Sequence, residues 1–257
     1  KKFWPGVHVV GKDILRFHAV YWPAFLMAAD IKPPKKIFAH GWWTNEGQKI
    51  SKSLGNIINP YDIINQYGLD QIRFFLFREV PFGNDGDFSK NAISQRINAD
   101  LSNNYGNLIQ RIASFIVKNA NSEVLKPKKL YESDEKLLKL FNQTFQNYLS
   151  NMNNYHVDRA IKNIFEYLSL INTYIDNEAP WSLKKSDFQR MKDVLYVVTL
   201  ITIKCSILLQ PIIPSSVNKI LNIYNLSIND FNLTIVKSFE PDHIKLNQPN
   251  PIFPRIE

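Results

Sequence analysis

Lys49 and Lys52 stand three residues apart, interleaved with Ser51 and Ser53 and followed by Gly55. Two ammonium groups on flexible stems, hydroxyls that donate and accept, and a glycine that permits unusual backbone angles suit a mobile loop closing on an anion. No glycine-rich Walker pattern precedes them, and a solvated charged turn accounts for the same residues. Gly11 and Asp13 form a second candidate, because they follow the apolar run His8–Val9–Val10, and open α/β sheets bind ligands at strand ends. Glycine allows close backbone approach and a carboxylate accepts protons from hydroxyls; Asp13 reads equally as the N-cap of the helix behind it. His18 lies among Phe17, Tyr21 and Trp22, where a lone histidine is by itself an ordinary core or surface residue. Farther along, Asn103, Asn107 and Arg111 recur at every fourth position. In an α-helix each such step advances about 40°, so the three share one narrow strip. Asn and Arg can hydrogen-bond to and stack on unpaired bases, although a solvated helix face explains the strip as well. Pro180–Trp181 offers a stacking platform for a splayed base, or a core anchor.

These residues need elements to hold them. His8–Val10 and Lys36–His40 read as strands flanking a helix over Asp13–Ala29, a βαβ unit that implies a parallel sheet. Pro33–Pro34 breaks the chain between them, and Asn45–Glu46–Gly47 reads as a turn. Beyond Gly55 strand signals fade. Asn59–Pro60–Tyr61–Asp62 caps a short helix, Asp70 starts another running to Phe77, and Asn84–Asp87 reads as a loop. Long helical patterns then cover roughly 89–121, 133–152, 155–177, 186–210 and 214–224, joined by short connections as in an antiparallel bundle. The last 30 residues read as irregular and end in a Pro-rich stretch. The fold class is therefore mainly α: the C-terminal remnant of a Rossmann-like α/β domain followed by an α-helical bundle. Two strands alone leave a doubly wound sheet uncovered, so further strands are expected upstream of Lys1.

The composition sets limits on function. The chain has 257 residues, 45% of them apolar, which excludes intrinsic disorder. One cysteine, Cys205, excludes a disulfide scaffold and a cysteine-built zinc site within the chain. A net charge of +8 favours an anionic partner. The apolar run 194–213 is interrupted by Lys204 and Gln210 and ended by Pro211 and Pro214, which fits a helix buried in a bundle rather than one spanning a membrane. With no secretory leader in view, the expectation is a soluble cytoplasmic protein.

The segment from Gly41 to Asn56, with Lys49-Ile50-Ser51-Lys52-Ser53 at its centre, resembles the KMSKS signature of class I aminoacyl-tRNA synthetases. Ile50 stands in the usual Met position. The stretch Val7 to His18 with Tyr21-Trp22-Pro23-Ala24 resembles the methionyl-tRNA synthetases in particular, as do Asn98-Ala99-Asp100 with the Asn103 strip and Glu178-Ala179-Pro180-Trp181. The resemblance covers nearly the whole chain. It implies that Lys52 contacts the phosphates of ATP with Lys49 assisting, and that Ile50 and Ser51 belong to the same ATP-binding loop. It places Gly11 and Asp13 at the adenosine ribose, and His18 with Tyr21 and Trp22 at methionine, whose thioether favours aromatic company. Asn103, Asn107, Arg111, Pro180 and Trp181 would meet the anticodon of tRNA(Met).

ATP with Mg2+ would enter as substrate, zinc would not be held by this chain, and the parent would be a monomer. The implied division is 1–55 for the end of the catalytic domain, 56–90 for a connecting α-rich stem-contact segment, and 91–257 for the anticodon-binding domain and tail. The family's first signature, a His-x-Gly-His-like motif, occurs nowhere in the sequence, so the chain by itself is expected not to activate methionine. A non-catalytic RNA-binding module and another class I synthetase are the competing readings.

Overall fold

A computed structural model describes residues 3–51 and 53–256. Strand β1 (Val7–Gly11) is followed by a 3₁₀ turn at Lys12–Ile14, a π-helical turn at Phe17–Tyr21 and helix α1 (Trp22–Ala28). The chain then returns as β2 (Lys36–His40), which pairs in parallel with β1 from Val7–Lys36 to Gly11–His40. The expected βαβ unit is present, and the helix expected over residues 13–29 is broken into these three pieces. Apolar side chains on this unit remain open to solvent, among them Phe17 (59% exposed) and Phe25 (70%). Large apolar side chains exposed together on one small unit are what a contact surface presents.

Strands β3 (Trp43–Asn45) and β4 (Gln48–Lys49) form an antiparallel hairpin. Its two turn residues, Glu46 and Gly47, both have positive φ (53° and 75°), the backbone a tight two-residue hairpin demands. Helices α2 (Pro60–Tyr67) and α3 (Leu69–Arg78) follow as expected, the first N-capped by the Asn59 side chain, which accepts from the Tyr61 N–H. Residues 84–87 are not simply a loop: β5 (Gly86–Asp87) pairs in parallel with β3. Gly41 makes this possible, because a Cβ there would collide with the Asn84 carbonyl.

The helix expected over 89–121 is continuous but not uniform. It runs as α4 (Lys90–Arg96), ten residues of π-helix (Ile97–Gly106) and α5 (Asn107–Asn119). Strand β6 (Glu123–Leu125) leads to α6 (Glu132–Asn153) and α7 (Val157–Glu178), which pack along each other as a hairpin. A short α8 (Pro180–Ser186) precedes α9 (Phe188–Leu209), whose N-cap Asp187 accepts from the Arg190 N–H. After α10 (Pro214–Ile223) the tail is more ordered than its composition suggests. It contains a 3₁₀ turn, α11 (Leu233–Ser238) and β7 (His243–Lys245), and β7 pairs antiparallel with β6. Those strands are only three residues long, too short for alternation to reveal. The Pro-rich end packs back too: Asn98 exchanges two hydrogen bonds with the Ile256 backbone, and Phe253 stacks near Tyr105.

The core centres on α9, buried along almost its whole length. No helix among the described residues is long and apolar enough to cross a membrane. Helix α3 joins the bundle to the sheet region. Its Asp70 accepts from the Ser216 N–H at the start of α10, Arg73 donates to the carbonyls of Pro211 and Ile212, and Phe74 packs on Phe165 of α7. Phe75 meets Trp43 of β3.

At the far end of α9, buried Arg190 binds Asp134 (2.6 and 2.8 Å) and Glu178 (2.8 Å), while Tyr174 donates to the same Asp134. Burial alone would raise the Asp134 pKa, but the bonds from Arg190, Tyr174 and the Tyr131 N–H hold it below the usual carboxylate value. A carboxyl with a depressed folded-state pKa stabilises the protein above its unfolded value and loses that contribution as pH falls through the folded one. Arg190→Met leaves Asp134 buried without its cation and should cost about 3–5 kcal/mol in urea unfolding at neutral pH. The deficit relative to wild type should shrink as acid neutralises Asp134; an undiminished deficit would contradict this account.

Candidate functional site

The lysine loop leaves the hairpin at Lys49 and is tied by one side chain that sequence reasoning passed over. Asn56 accepts from the Ser51 N–H (2.9 Å) and donates to the Lys49 carbonyl (3.0 Å), while its own carbonyl accepts from Asn45 (3.0 Å). These bonds close the segment into a small ring whose base is the hairpin. Ser51 also accepts from the Leu54 N–H, and Gly55 turns the chain at φ +65°. Asp87 anchors the hairpin from across the chain, accepting from the Thr44 hydroxyl (2.6 Å) and the Gly47 N–H (2.7 Å). Ile50 and Ser51 are half-buried within this ring and Lys49 is exposed. Lys52 lies outside the described residues.

Trp42 connects this loop to the end of β1. The Lys12 ammonium sits 4.3 Å from the Trp42 ring centroid and the Lys49 ammonium 5.6 Å from it. Lys12 also bonds to Asp85, which accepts from the Trp42 N–H (2.8 Å). The hydrogen bond from Lys12, then that from Trp42, hold the Asp85 carboxyl below its usual pKa. Lys12 stood inside the Gly11–Asp13 motif and could have been singled out. Asp85, 73 residues away in sequence, carried no signal.

Gly11 adopts extended backbone at the N-cap position of the 3₁₀ turn and gives no side-chain cap; Asp13 falls inside that turn rather than capping it. The Asp13 carboxylate lies over Gly11 so closely that a Cβ there would meet its oxygen at 2.5 Å. That carboxylate is exposed and has no hydrogen-bond partner among the described residues, so it is left free to accept from a ligand. His18 directs Nδ1 to the Ile14 carbonyl (3.0 Å), which frees Nε2. Its ring packs edge-on against Trp22, which meets His8 and Trp4 in turn. Tyr21 belongs to a different group, beside Phe17 and the Arg16 guanidinium. His18 and Trp22 are thus brought together, and Tyr21 is not part of their ring cluster.

On the bundle, Arg111 and Trp181 are brought together from α5 and α8, with the guanidinium 5.8 Å from the indole. Ala179 between α7 and α8 is left-handed (φ 44°), and this turn buries Pro180 while leaving Trp181 44% exposed. Glu178, one residue earlier, is held by Arg190, so the ionic cluster abuts this turn. Arg111 is itself oriented, donating to Asn172 (3.1 Å) and pairing with Asp176 (3.3 Å). Asn172 in turn bonds Asn104 (2.9 Å). Asn104, Asn172 and Asp176 were missed, since polar residues on helix faces are indistinguishable in sequence from solvated ones. Asn103 and Asn107 are exposed and open instead on a cleft of about 390 Å³ formed with Phe253 and Arg255 of the tail.

The strip therefore differs from the uniform helix used to derive it. A π turn closes on the fifth residue rather than the fourth, so a four-residue step before Gly106 falls short of a full turn. The step from Asn107 to Arg111 in α5 overshoots one, and the two deviations oppose each other.

A parallel strand pair with a carboxylate and a lysine loop at its edge, joined to a helical bundle that presents Arg and Trp, is the layout of a class I tRNA synthetase. The comparisons agree. The family model "tRNA synthetases class I (M)" matches residues 1–113, and that for the "anticodon binding domain of methionyl tRNA ligase" matches 125–257. The methionine–tRNA ligase of Rickettsia felis is 46% identical over 100% of this chain, which covers 51% of that protein. The Brucella suis biovar 1 enzyme is 42% identical over 98% of this chain and 50% of its own length. The Mycobacterium tuberculosis methionyl-tRNA synthetase solved with methionyl-adenylate superimposes with a TM-score of 0.94 at 40% identity, over 98% of this chain and 51% of that one. The chain belongs to the methionyl-tRNA synthetase family, and it spans about half the length of the relatives it matches.

If Asn56 is what closes the lysine loop, Asn56→Ala should speed amide exchange at Ser51 and Leu54 by about tenfold, the loss of roughly one net hydrogen bond. Exchange in α7 and α9 should not change; unaltered protection at Ser51 would count against the ring.

Proposed function

We propose that this chain provides the lysine-loop end of the activating domain and the anticodon-reading bundle of a methionine–tRNA ligase. The division follows the sequence reading: catalytic end over 1–55, connecting segment over 56–90 and anticodon domain over 91–257. The exposed apolar face of the β1–β2 unit is where the rest of the catalytic domain would pack. The observation that carries the reading is that one chain holds both groups of candidate residues. The lysine loop beside Gly11–Asp13 lies at one end, and Trp181 with its oriented Arg111 at the other.

In this reading the methionine carboxylate attacks the α-phosphate of ATP, forming the adenylate as pyrophosphate leaves, and a ribose hydroxyl at the tRNA 3′ end then takes the methionyl group as AMP leaves. Negative charge grows on phosphoryl oxygens during the first step, which calls for fixed cations. Lys52 is proposed as the principal cation with Lys49 assisting, on the loop that also carries Ile50 and Ser51. Asp13 accepts from the adenosine ribose over Gly11. The free Nε2 of His18 beside Trp22 suits the methionine pocket, with Tyr21 supporting the wall from outside. Mg2+ would arrive with ATP as substrate, no zinc is assigned to this chain, and a cytoplasmic, monomeric parent fits the family. Asn103, Asn107, Arg111, Pro180 and Trp181 are proposed to receive the anticodon, with Trp181 stacking on one base and the Asn and Arg groups reading edges.

Two measurements separate the halves of this proposal. The intact chain should bind an RNA stem–loop bearing a CAU anticodon, and Trp181→Ala should weaken that binding by about 1–3 kcal/mol. Equal affinity for a stem–loop with an unrelated anticodon would refute the anticodon assignment. In a protein that unites this chain with the rest of the catalytic domain, Lys52→Ala should lower methionine-dependent ATP–pyrophosphate exchange by about 10²–10³, with stem–loop binding unchanged.

A further inference from the structure

A cleft of about 600 Å³ opens between α6, α9 and α11, lined by none of the residues assigned above to ATP, methionine or RNA. Its floor is apolar, made by Leu130, Leu138 and Phe141. Into this floor projects Lys204, from the middle of α9, with only 4% of its surface exposed. Its ammonium lies 5.2 Å from the Phe141 ring centroid and donates one hydrogen bond, to the Lys237 carbonyl at 3.1 Å. An ammonium has three N–H donors, and no carboxylate of the described residues lies within ion-pairing distance of this one. Burying a cation with no carboxylate at ion-pairing distance is costly, and an anion entering this cleft would meet its remaining donors.

The surroundings agree with that sign. Lys139 of α6 and Lys237 of α11 also line the cleft. Of its two acids, Glu240 is engaged by Lys126 (3.1 Å), leaving Glu135.

We infer that this cleft binds a small organic carboxylate whose charged end pairs with the unused donors of Lys204 and whose apolar body rests on Leu130, Leu138 and Phe141. The volume falls in the range of small-molecule sites, about 300–1,000 Å³, and the mixture of an apolar floor with one desolvated cation suits an amphiphilic anion. Binding needs the charged amine. Burial lowers the Lys204 pKa from its ordinary value, partly offset by Glu240 and Cys205 and reinforced by Lys126. Affinity should therefore decline as pH rises through that lowered value, where a carboxylate ligand keeps its charge.

The probe is 4-phenylbutyrate, titrated into the intact chain and followed by calorimetry and methyl NMR, with its neutral amide as the comparison. The carboxylate should bind about tenfold or more tighter than the amide, the scale of a hydrogen bond to a charged group. It should shift the methyls of Leu130, Leu138 and Thr234. Lys204→Met should erase the preference while keeping the fold, because it removes a buried charge at nearly constant volume. Should that variant not fold, the wild-type shift map decides: perturbations confined to other regions overturn the site. Equal affinity for acid and amide, no binding up to about 10 mM, or a preference that survives Lys204→Met would each do the same. Trp181→Ala should bind the probe like wild type, so failure here and failure of the RNA assignment are distinguishable.

Discussion

Helix α9 cannot keep its shape outside the bundle. Nineteen of its residues are buried, on all faces rather than along one stripe, and such a helix is stable only when other elements surround it. Helices α5, α6, α7, α8, α10 and α11 and the strand β6 all pack on it. Its few charged residues must then be answered inside the core. Arg190 is met by Asp134 and Glu178, Asp193 by Gln189, and Lys204 by the Lys237 carbonyl and the face of Phe141. The Arg190 cluster grips Glu178 immediately before the left-handed Ala179, beyond which Trp181 stands exposed. An interior ion cluster thereby borders the surface proposed for recognition.

The packing reaches the lysine loop through α3. One face of that helix is hydrogen-bonded and packed to the bundle by Asp70, Arg73 and Phe74, and Phe75 is packed on Trp43. Trp43 begins the hairpin whose far strand ends at Lys49. Arg78 and Arg96 share Asp100 at the opposite side of this joint, with Glu79 completing the cluster. The loop itself rests on a handful of exposed or half-buried hydrogen bonds centred on Asn56. A packed support carrying a loop tied by few hydrogen bonds is the arrangement that the proposed closure on a phosphate would use.

Much of this was legible in the sequence. The βαβ unit, α2, α3 and the five long helical regions followed from apolar spacing and caps, and the motif residues from their pattern. What was not legible had short range or long reach. Strands β5, β6 and β7 have two or three residues each, so no alternation exists to read, and they form only because a partner strand supplies the hydrogen bonds. The π-helical stretch before Gly106 left no compositional mark, yet it alters how Asn103, Asn107 and Arg111 line up. Asn104, Asn172 and Asp176 looked like solvated polar residues until α5 and α7 came together around Arg111.

By itself the sequence determined which residues carry charge, rings and turns at family-specific spacing, because those properties are local and survive without a fold. Tertiary structure alone decided which of them come together. It separated Tyr21 from His18, joined Lys12 and Lys49 across Trp42, and left Lys204 buried without a carboxylate partner among the described residues. The reason is that pairing depends on distance and desolvation between elements far apart in the chain, quantities that exist only once the core has closed.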